Sequence, residues 1–285
     1  MPLAIRYVLL SALGFALMTA CVKQAALLGI PVFEIVAARA LVSLLISYLD
    51  IRRKGISPWG KEKGLLFARG LAGTLALICV YYAVTTLPLA EAVVLQYTYP
   101  VFTAIIAWLF LRESIQRATI LCIVLSLFGL GIMVQPTEPQ IETLQQTLPW
   151  LSVLAGLLGA LGSAIAYVLV RRLGRSEDSA VIIFYFPLIA LPISLLLLGG
   201  NFVIPSGHAL LVLLLVGIFT QIGQIGLTKA MTAEKAGKVG AYSYIQVVFS
   251  AALGFFIFAE FPSFNTILGA SLIIGGALIN ALSKR

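Results

Sequence analysis

Long apolar runs separated by short polar breaks dominate this sequence from end to end. Each run holds about 17–25 residues, the length that an α-helix needs to cross a lipid bilayer. Only 11% of the 285 residues are charged, whereas soluble domains carry about 25%, so polar side chains are too few to cover a soluble globule. We therefore predict an all-α integral membrane protein that contacts the lipid bilayer.

Glycine, proline and charged residues divide the chain into ten predicted transmembrane helices. The predicted spans are residues 3–22, 32–49, 65–85, 89–111, 118–135, 149–171, 180–198, 208–229, 239–260 and 264–282. The connections between them are short, so we predict no soluble domain anywhere in the chain.

The lysine and arginine residues fall almost entirely on one side of this topology. With the N-terminus in the cytoplasm, all but two of the 19 basic residues lie on the cytoplasmic side, Arg69 among them, and the exceptions are Lys23 and Arg39. Such asymmetry follows the positive-inside rule, so we predict that both termini are cytoplasmic. The charges lie in loops rather than on a soluble face, which argues against a nucleic-acid partner. No organelle-targeting extension precedes the first span, so we expect a bacterial inner membrane.

The two halves of the chain resemble each other at a shift of about 147 residues, which aligns Tyr97 with Tyr244 and Glu113 with Glu260. Each half holds five spans, an odd number, so the second half enters the membrane from the opposite side. Inverted repeats of this kind are typical of alternating-access transporters, whose binding site lies between the repeats. The predicted units are a first five-helix repeat at 1–136, a linker at 137–148 and a second five-helix repeat at 149–285.

Polar and aromatic side chains recur inside the predicted spans, where they are costly unless they face protein or a water-filled cavity. In span four, Pro100 cannot donate a helical hydrogen bond to the carbonyl of Gln96, which leaves that oxygen free to accept another. We predict a substrate-binding cavity around such residues; the alternative is helix packing through interhelical hydrogen bonds. The candidate residues are Tyr82, Gln96, Tyr97, Tyr99, Tyr167, Gln221, Gln224, Tyr244 and Gln246.

Two charged residues near the predicted pathway have open roles. Arg39 lies inside span two, and its guanidinium suits a substrate carboxylate or phosphate; the alternative is an ion pair with Glu34 or another acid. Glu91 starts span four and is a candidate for proton coupling, or an acid favoured there by the helix dipole. The cysteines and the single histidine lack metal-ligand spacing, so we predict no metal and no cofactor.

The segment LPLAEAVVLQYTYPVFTAIIAWLFLRESI resembles the EamA-like branch of the drug/metabolite transporter superfamily. Span four of that family ends in a Gly/Arg–Glu pair, here Arg112-Glu113, and VFEIVAARALVSLLI in span two is also similar to the family pattern. The resemblance covers essentially the whole chain. It implies a ten-span metabolite exporter with spans 1, 3, 4, 6, 8 and 9 around a central cavity. One departure is Val247, which stands where span four has Pro100, so the two halves need not bend alike.

These observations predict a secondary transporter that exports small metabolites by alternating access, as a monomer or homodimer. A lining of aromatic and amide side chains without a dense charge cluster favours amino acids or related amphipathic solutes. The alternatives are a polytopic membrane enzyme and a channel-type protein. The sequence has no HExxH or GxSxG motif and no filter-like stretch, so we predict that the protein is not an enzyme and favour a carrier over a channel.

Overall fold

The computed structural model describes residues 3–86, 93, 95–134, 150–259 and 263–283, and these ranges contain α-helices and no β-strand. The helices are α1 (Leu3–Leu27), α2 (Val32–Lys54), α3 (Lys63–Thr86), α4 (Tyr99–Leu111), α5 (Arg117–Val134), α6 (Trp150–Leu173), α7 (Ser179–Leu198), α8 (Gly207–Ala233), α9 (Ala236–Tyr242), α10 (Ile245–Phe258) and α11 (Phe264–Leu282). Their lengths and sequences confirm the predicted all-α class.

Eight segments in the described ranges are long and apolar enough to cross a membrane, and α9 and α10 together form one of them. Two shorter apolar helices, α4 and α5, accompany these eight. Large apolar side chains such as Phe110, Leu196 and Phe256 stay 78%, 81% and 79% exposed. Lipid tails can cover such side chains without cost, and the chain is a multi-pass membrane protein.

The large helix–helix contacts join the first half of the chain to the second, and most of them have a counterpart in which the two halves are swapped. The contact between α1 and α8 has a counterpart in the contact between α6 and α3. Likewise, α2 packs against α8 as α7 packs against α3, and α1 packs against α10 as α6 packs against α4. The remaining large contacts join α2 to α7, α5 to α11, and α4 to α9. Every one of these pairs combines a helix of the first half with a helix of the second.

Helices α5 and α11 approach so closely that their crossing requires glycine. A Cβ atom added to Gly129 would lie 2.6 Å from the carbonyl oxygen of Gly269. The same helices meet again where a Cβ atom on Gly276 would lie 3.2 Å from the carbonyl oxygen of Cys122. Small residues at such contacts allow the close backbone packing on which membrane helices depend for association.

Two of the predicted spans are interrupted at corresponding places. A turn at residues 97–98 precedes α4, and a turn at residues 243–244 separates α9 from α10. Pro100 is the second residue of α4, a position in the first helical turn where its missing N–H is not needed. The second interruption occurs without a proline, since Val247 takes the equivalent place. The corresponding spans of the two halves are therefore both interrupted, although only the first of them has a proline at this place.

One side of the bundle, which we call the basic side, collects the ends of α2, α4, α6 and α8. Lys54 Nζ lies 2.9 Å from Asp178 Oδ1, which joins the end of α2 to the start of α7. Arg171 Nε lies 2.7 Å from Glu113 Oε1, which joins the end of α6 to the end of α4. The start of α1 and the end of α11 meet the α8–α9 connection on this same side.

Candidate functional site

A cavity of about 170 Å³ lies within the bundle, and eight helices from both halves of the chain border it. The lining residues are Phe15, Met18, Arg39, Arg69, Gly73, Leu77, Val80, Gln96, Tyr97, Tyr99, Ser163, Ala166, Tyr167, Phe186, Gln224 and Gln246. The lining combines aromatic rings, amides and two guanidinium groups, and no carboxylate lines it among the residues that the structure describes. This cavity is the candidate solute site.

Seven of the ten predicted site residues line this cavity. They are Arg39, Gln96, Tyr97, Tyr99, Tyr167, Gln224 and Gln246. They come from segments of the chain that are distant in sequence, so the helix packing is what brings them together.

The other three predicted residues do not line the cavity. Tyr82 is 42% exposed on α3. Gln221 is buried one turn from Gln224, but its Nε2 donates a hydrogen bond to Ser47 Oγ at 2.9 Å, so it faces α2. Tyr244 is completely buried behind the cavity wall. Gln221 and Gln224 face different neighbours because side chains three positions apart on an α-helix point in directions about 60° apart.

Tyrosine side chains form one wall of the cavity and bind the two helix interruptions together. The rings of Tyr99 and Tyr167 meet edge to face with centroids 5.3 Å apart, and Tyr97 stacks on Tyr244 at 5.9 Å. The Tyr244 hydroxyl donates to the carbonyl oxygen of Tyr97 at 2.8 Å. The Tyr99 hydroxyl donates to Ser243 Oγ. The turns of α4 and α9–α10 are therefore held directly against each other.

Two arginine side chains are buried in the cavity wall, Arg39 at 8% exposure and Arg69 at 3%. Their guanidinium carbons lie 5.7 Å and 5.0 Å from the centroid of the Phe186 ring, within the range of cation–π attraction. Arg69 Nη2 donates to Gln224 Oε1 at 3.3 Å, and Arg39 Nη1 lies 3.9 Å from Met18 Sδ. Within the described ranges, Arg69 Nε and Nη1 have no hydrogen-bond partner.

The sequence pattern did not identify Arg69 as a cavity residue, because the predicted topology groups it with the basic residues at the cytoplasmic end of span three. Helix α3 begins at Lys63, so Arg69 lies about 9 Å along the helix and points inward. A lone arginine six residues inside an apolar helix, next to Gly70, was the available signal. That signal is the same in kind as the one that identified Arg39 in span two.

The acids considered for the pathway do not pair with Arg39 in the described part of the chain. Glu34 Oε2 instead accepts a hydrogen bond from the backbone N–H of Val203 at 3.0 Å. Glu91 lies outside the described residues. Those residues also contain no group of three or more His, Cys, Asp or Glu side chains that could hold a metal ion.

A set of contacts that we call the basic-side latch lies one turn beyond the cavity on α6. In addition to the ion pair with Glu113, Arg171 Nη1 donates to the carbonyl oxygens of Met231 and Thr232, both at 2.9 Å. Glu113 Oε2 accepts from the backbone N–H of Ala236 at 2.8 Å. The latch thus ties the ends of α4, α6 and α8 to the start of α9.

Apolar packing fills the same region between the cavity and the basic side. The buried side chains there include Val168, Leu173, Leu227, Met231 and Val239. Helix α9 crosses α4 closely, since a Cβ atom on Gly237 would lie 3.2 Å from the Cβ of Ala104. Along α6 and α8, these buried side chains lie between the cavity lining and the end that carries the basic-side latch.

Known proteins share both the sequence and the architecture of this chain. The model of the EamA-like transporter family matches residues 2–135 and again residues 150–282. The pseudopaline exporter CntI of Pseudomonas aeruginosa (strain UCBPP-PA14) is 31% identical over 277 residues, which cover 97% of this chain and 95% of that protein. Solute carrier family 35 member G1 of Mus musculus is 33% identical over 285 residues, which cover 95% of this chain and 76% of that protein.

A solved crystal structure has the same fold, with a TM-score of 0.84 over 98% of this chain and 96% of the other. The two sequences are 19% identical, so this likeness concerns the fold alone. The family match and the relatives confirm the prediction of a membrane transporter for small molecules. The chain belongs to the EamA-like transporter family.

Proposed function

We propose that this protein is a secondary transporter that exports amino acids or related amphipathic metabolites by alternating access, with the central cavity as its solute site. The observation that carries the proposal is the convergence of seven predicted residues on one cavity between the two halves. Secondary transporters built from repeats bind their solutes in this location, often beside interrupted helices. The exporter among the relatives supports efflux.

The two halves, residues 1–136 and 149–285 with a linker at 137–148, form inverted five-helix repeats in this proposal. The family model matches once in each half, and the largest helix–helix contacts join one half to the other. Helices α4 and α5 then cross the membrane as well, which gives ten spans. Rocking of the repeats against each other would expose the cavity to one side at a time.

Individual contacts also support the repeat. Gly129 contacts Gly269, and Cys122 contacts Gly276. The shift of 147 residues maps one contact onto the other, because it relates Gly129 to Gly276 and Cys122 to Gly269. The C-caps of α4 and α10 both have left-handed backbone, with φ of 55° at Arg112 and 54° at Ala259. These two caps are also separated by the same shift, so they occupy equivalent positions.

The basic side faces the cytoplasm in this proposal, because lysine and arginine concentrate there as the positive-inside rule requires. Both termini are then cytoplasmic, and the membrane is the bacterial inner membrane. The described conformation is closed to the cytoplasm by the basic-side latch. The protein acts as a monomer, or as a homodimer in which each copy has its own cavity.

The solute contacts belong to the seven cavity residues, Arg39, Gln96, Tyr97, Tyr99, Tyr167, Gln224 and Gln246. Their amides and hydroxyls suit the polar groups of a small metabolite, and the aromatic rings suit its apolar part. Tyr244 acts through Tyr97, while Tyr82 and Gln221 lie outside the wall in this conformation. A membrane enzyme or a channel remains the alternative to a carrier, and saturable exchange separates them.

Counterflow in proteoliposomes tests this proposal, with a panel of labelled amino acids and other small metabolites. We expect saturable, competable exchange of one class of solute. Tyr167→Ala in the cavity should reduce exchange strongly, whereas Tyr48→Ala, at a side chain 42% exposed on α2, should not. Folded protein that exchanges no solute of the panel would contradict the carrier proposal.

A further inference from the structure

Arg39 and Arg69 are buried in the cavity wall, and no acid in the described part of the chain pairs with either. Within the described ranges, all ion pairs involve other residues, and neither arginine contacts a carboxylate. The two guanidiniums contact an amide, a thioether and the ring of Phe186. Two positive charges therefore border the same cavity, and none of its described lining residues carries a negative charge.

A buried charge is strongly unfavourable unless an opposite charge or hydrogen bonds compensate it. Within a membrane span, an ionisable side chain that faces a cavity marks a solute or ion pathway by default. Gln224 satisfies only one of the guanidinium nitrogens of Arg69, while Nε and Nη1 keep free N–H donors. These donors, with the charge of Arg39 near the same aromatic ring, are suited to an oxyanion.

We propose that Arg39 and Arg69 together bind a carboxylate group of the transported solute. The assignment rests on the proposed carrier function and narrows its substrate class to organic acids and amino acids with a free carboxylate. Guanidinium groups form their strongest hydrogen bonds with carboxylates and phosphates. Phe186, which lies near both guanidiniums, holds them at the cavity wall, and Gln224 orients Arg69.

The remaining lining distinguishes this site from one for a small inorganic anion. Tyr97, Tyr99 and Tyr167 provide an apolar and aromatic surface that has no use for chloride or phosphate but can contact the body of an organic solute. A cationic or neutral solute would leave both arginine charges uncompensated. The carboxylate is therefore the group that the cavity selects.

Thermal unfolding of the purified full-length protein tests this inference through ligand binding, because a ligand that binds only the folded state raises Tm. The probes are a panel of amino acids and N-acetyl amino acids, the primary amide of each, sodium chloride and inorganic phosphate. We expect one or more carboxylates to raise Tm, while the matched amide at the same concentration does not. Chloride and phosphate should give smaller shifts than the best carboxylate.

Variants identify the residues responsible. Arg69→Gln and Arg39→Gln should each weaken carboxylate binding by about tenfold or more, as loss of a charge-assisted hydrogen bond predicts. Arg69→Lys keeps the charge but not the planar fork, so it should keep the preference for carboxylate over amide at reduced affinity. Arg53→Gln changes the net charge equally at an exposed position and should leave binding unchanged.

The Tm of Arg69→Gln without ligand distinguishes a binding role of Arg69 from a purely structural role. Because the substitution removes an uncompensated buried charge, we expect its Tm without ligand to equal or exceed that of the wild type. A lower Tm together with unchanged carboxylate affinity would assign Arg69 to the structure and overturn the inference.

Other outcomes are equally decisive. The inference is overturned if no carboxylate of the panel raises Tm, if amides or inorganic anions bind as tightly, or if Arg69→Gln and Arg39→Gln keep full affinity. Counterflow tests the carrier proposal independently of the carboxylate site. Exchange of amides but not carboxylates would refute only the carboxylate site, whereas carboxylate binding without any exchange would refute only the carrier.

Discussion

The hydroxyl group of Tyr244 donates a hydrogen bond of 2.8 Å to the backbone carbonyl oxygen of Tyr97, a residue 147 positions earlier in the chain. The same two rings stack with centroids 5.9 Å apart. Tyr244 is completely buried, whereas Tyr97 lines the cavity. The contact joins the interrupted spans of the two halves and fixes the orientation of Tyr97.

Tyr244→Phe should raise KM for transport several-fold and lower the free energy of unfolding by about 1–2 kcal/mol, because a buried carbonyl loses its hydrogen-bond donor. Tyr185→Phe is the matched control, since the Tyr185 hydroxyl donates to the carbonyl oxygen of Trp59 at 3.0 Å, away from the cavity. We expect a similar loss of stability there with unchanged KM. Equal KM values for both variants would show that Tyr244 does not position the cavity wall.

Glu113→Gln should shift the protein towards conformations open on the basic side. Glutamine still accepts from the Ala236 N–H but loses the charge that pairs with Arg171, and both side chains are largely buried, at 9% and 16% exposure. Labelling of a cysteine at Ser163, in the cavity wall, measures the shift after the native cysteines have been replaced. A maleimide reagent should react with this cysteine faster from the basic side in the variant than in the parent protein.

Asp178→Asn is the control for this experiment. Asp178 pairs with Lys54 on the same side of the bundle, but the two side chains are 41% and 39% exposed. Exposed ion pairs contribute only about 0–1 kcal/mol, and asparagine still caps α7. The cysteine at position 163 should be labelled at the same rate in the Asp178→Asn variant as in the parent protein. Unchanged labelling in Glu113→Gln would mean that the latch does not control access.

Gly129→Ala should lower the free energy of unfolding by about 1–3 kcal/mol, the usual effect of overpacking. The new methyl group would lie 2.6 Å from the carbonyl oxygen of Gly269, so α5 and α11 must move apart. Gly131→Ala on the same helix has no atom within 4 Å of the added Cβ and should be neutral. Thermal unfolding in detergent compares them; equal Tm values would argue against the close crossing.

Gln224 and Gln221 should respond differently to the same substitution, although they are one turn apart on α8. Gln224→Met removes the acceptor for Arg69 Nη2 at the cavity, so we expect KM to rise several-fold. Gln221→Met removes the bond to Ser47 and should change Tm without changing KM. Concentration-dependent counterflow with a melting curve for each variant checks both. A KM effect at Gln221 alone would reverse the assignment.

The apolar runs by themselves determined that this protein is helical and spans a membrane. Backbone N–H and C=O groups in lipid must be satisfied within the segment, so length and apolar composition suffice to predict a helix. The family resemblance and the transporter class were also readable from sequence, and the family match and the similar transporters confirmed them. Polar residues inside apolar runs identified seven of the sixteen residues that line the cavity, because their burial is costly anywhere else.

Only the tertiary structure decided which of those polar residues meet. Gln221 and Gln224 look alike in sequence, yet the rotation of α8 directs one towards Ser47 and the other towards the cavity. The sequence places Arg69 near the start of span three, and only the packing of α3 directs that side chain into the cavity. Rotation and packing of helices depend on contacts between distant segments, which no local pattern specifies. The sequence therefore determined the helices and the class of protein, and the packing determined the site.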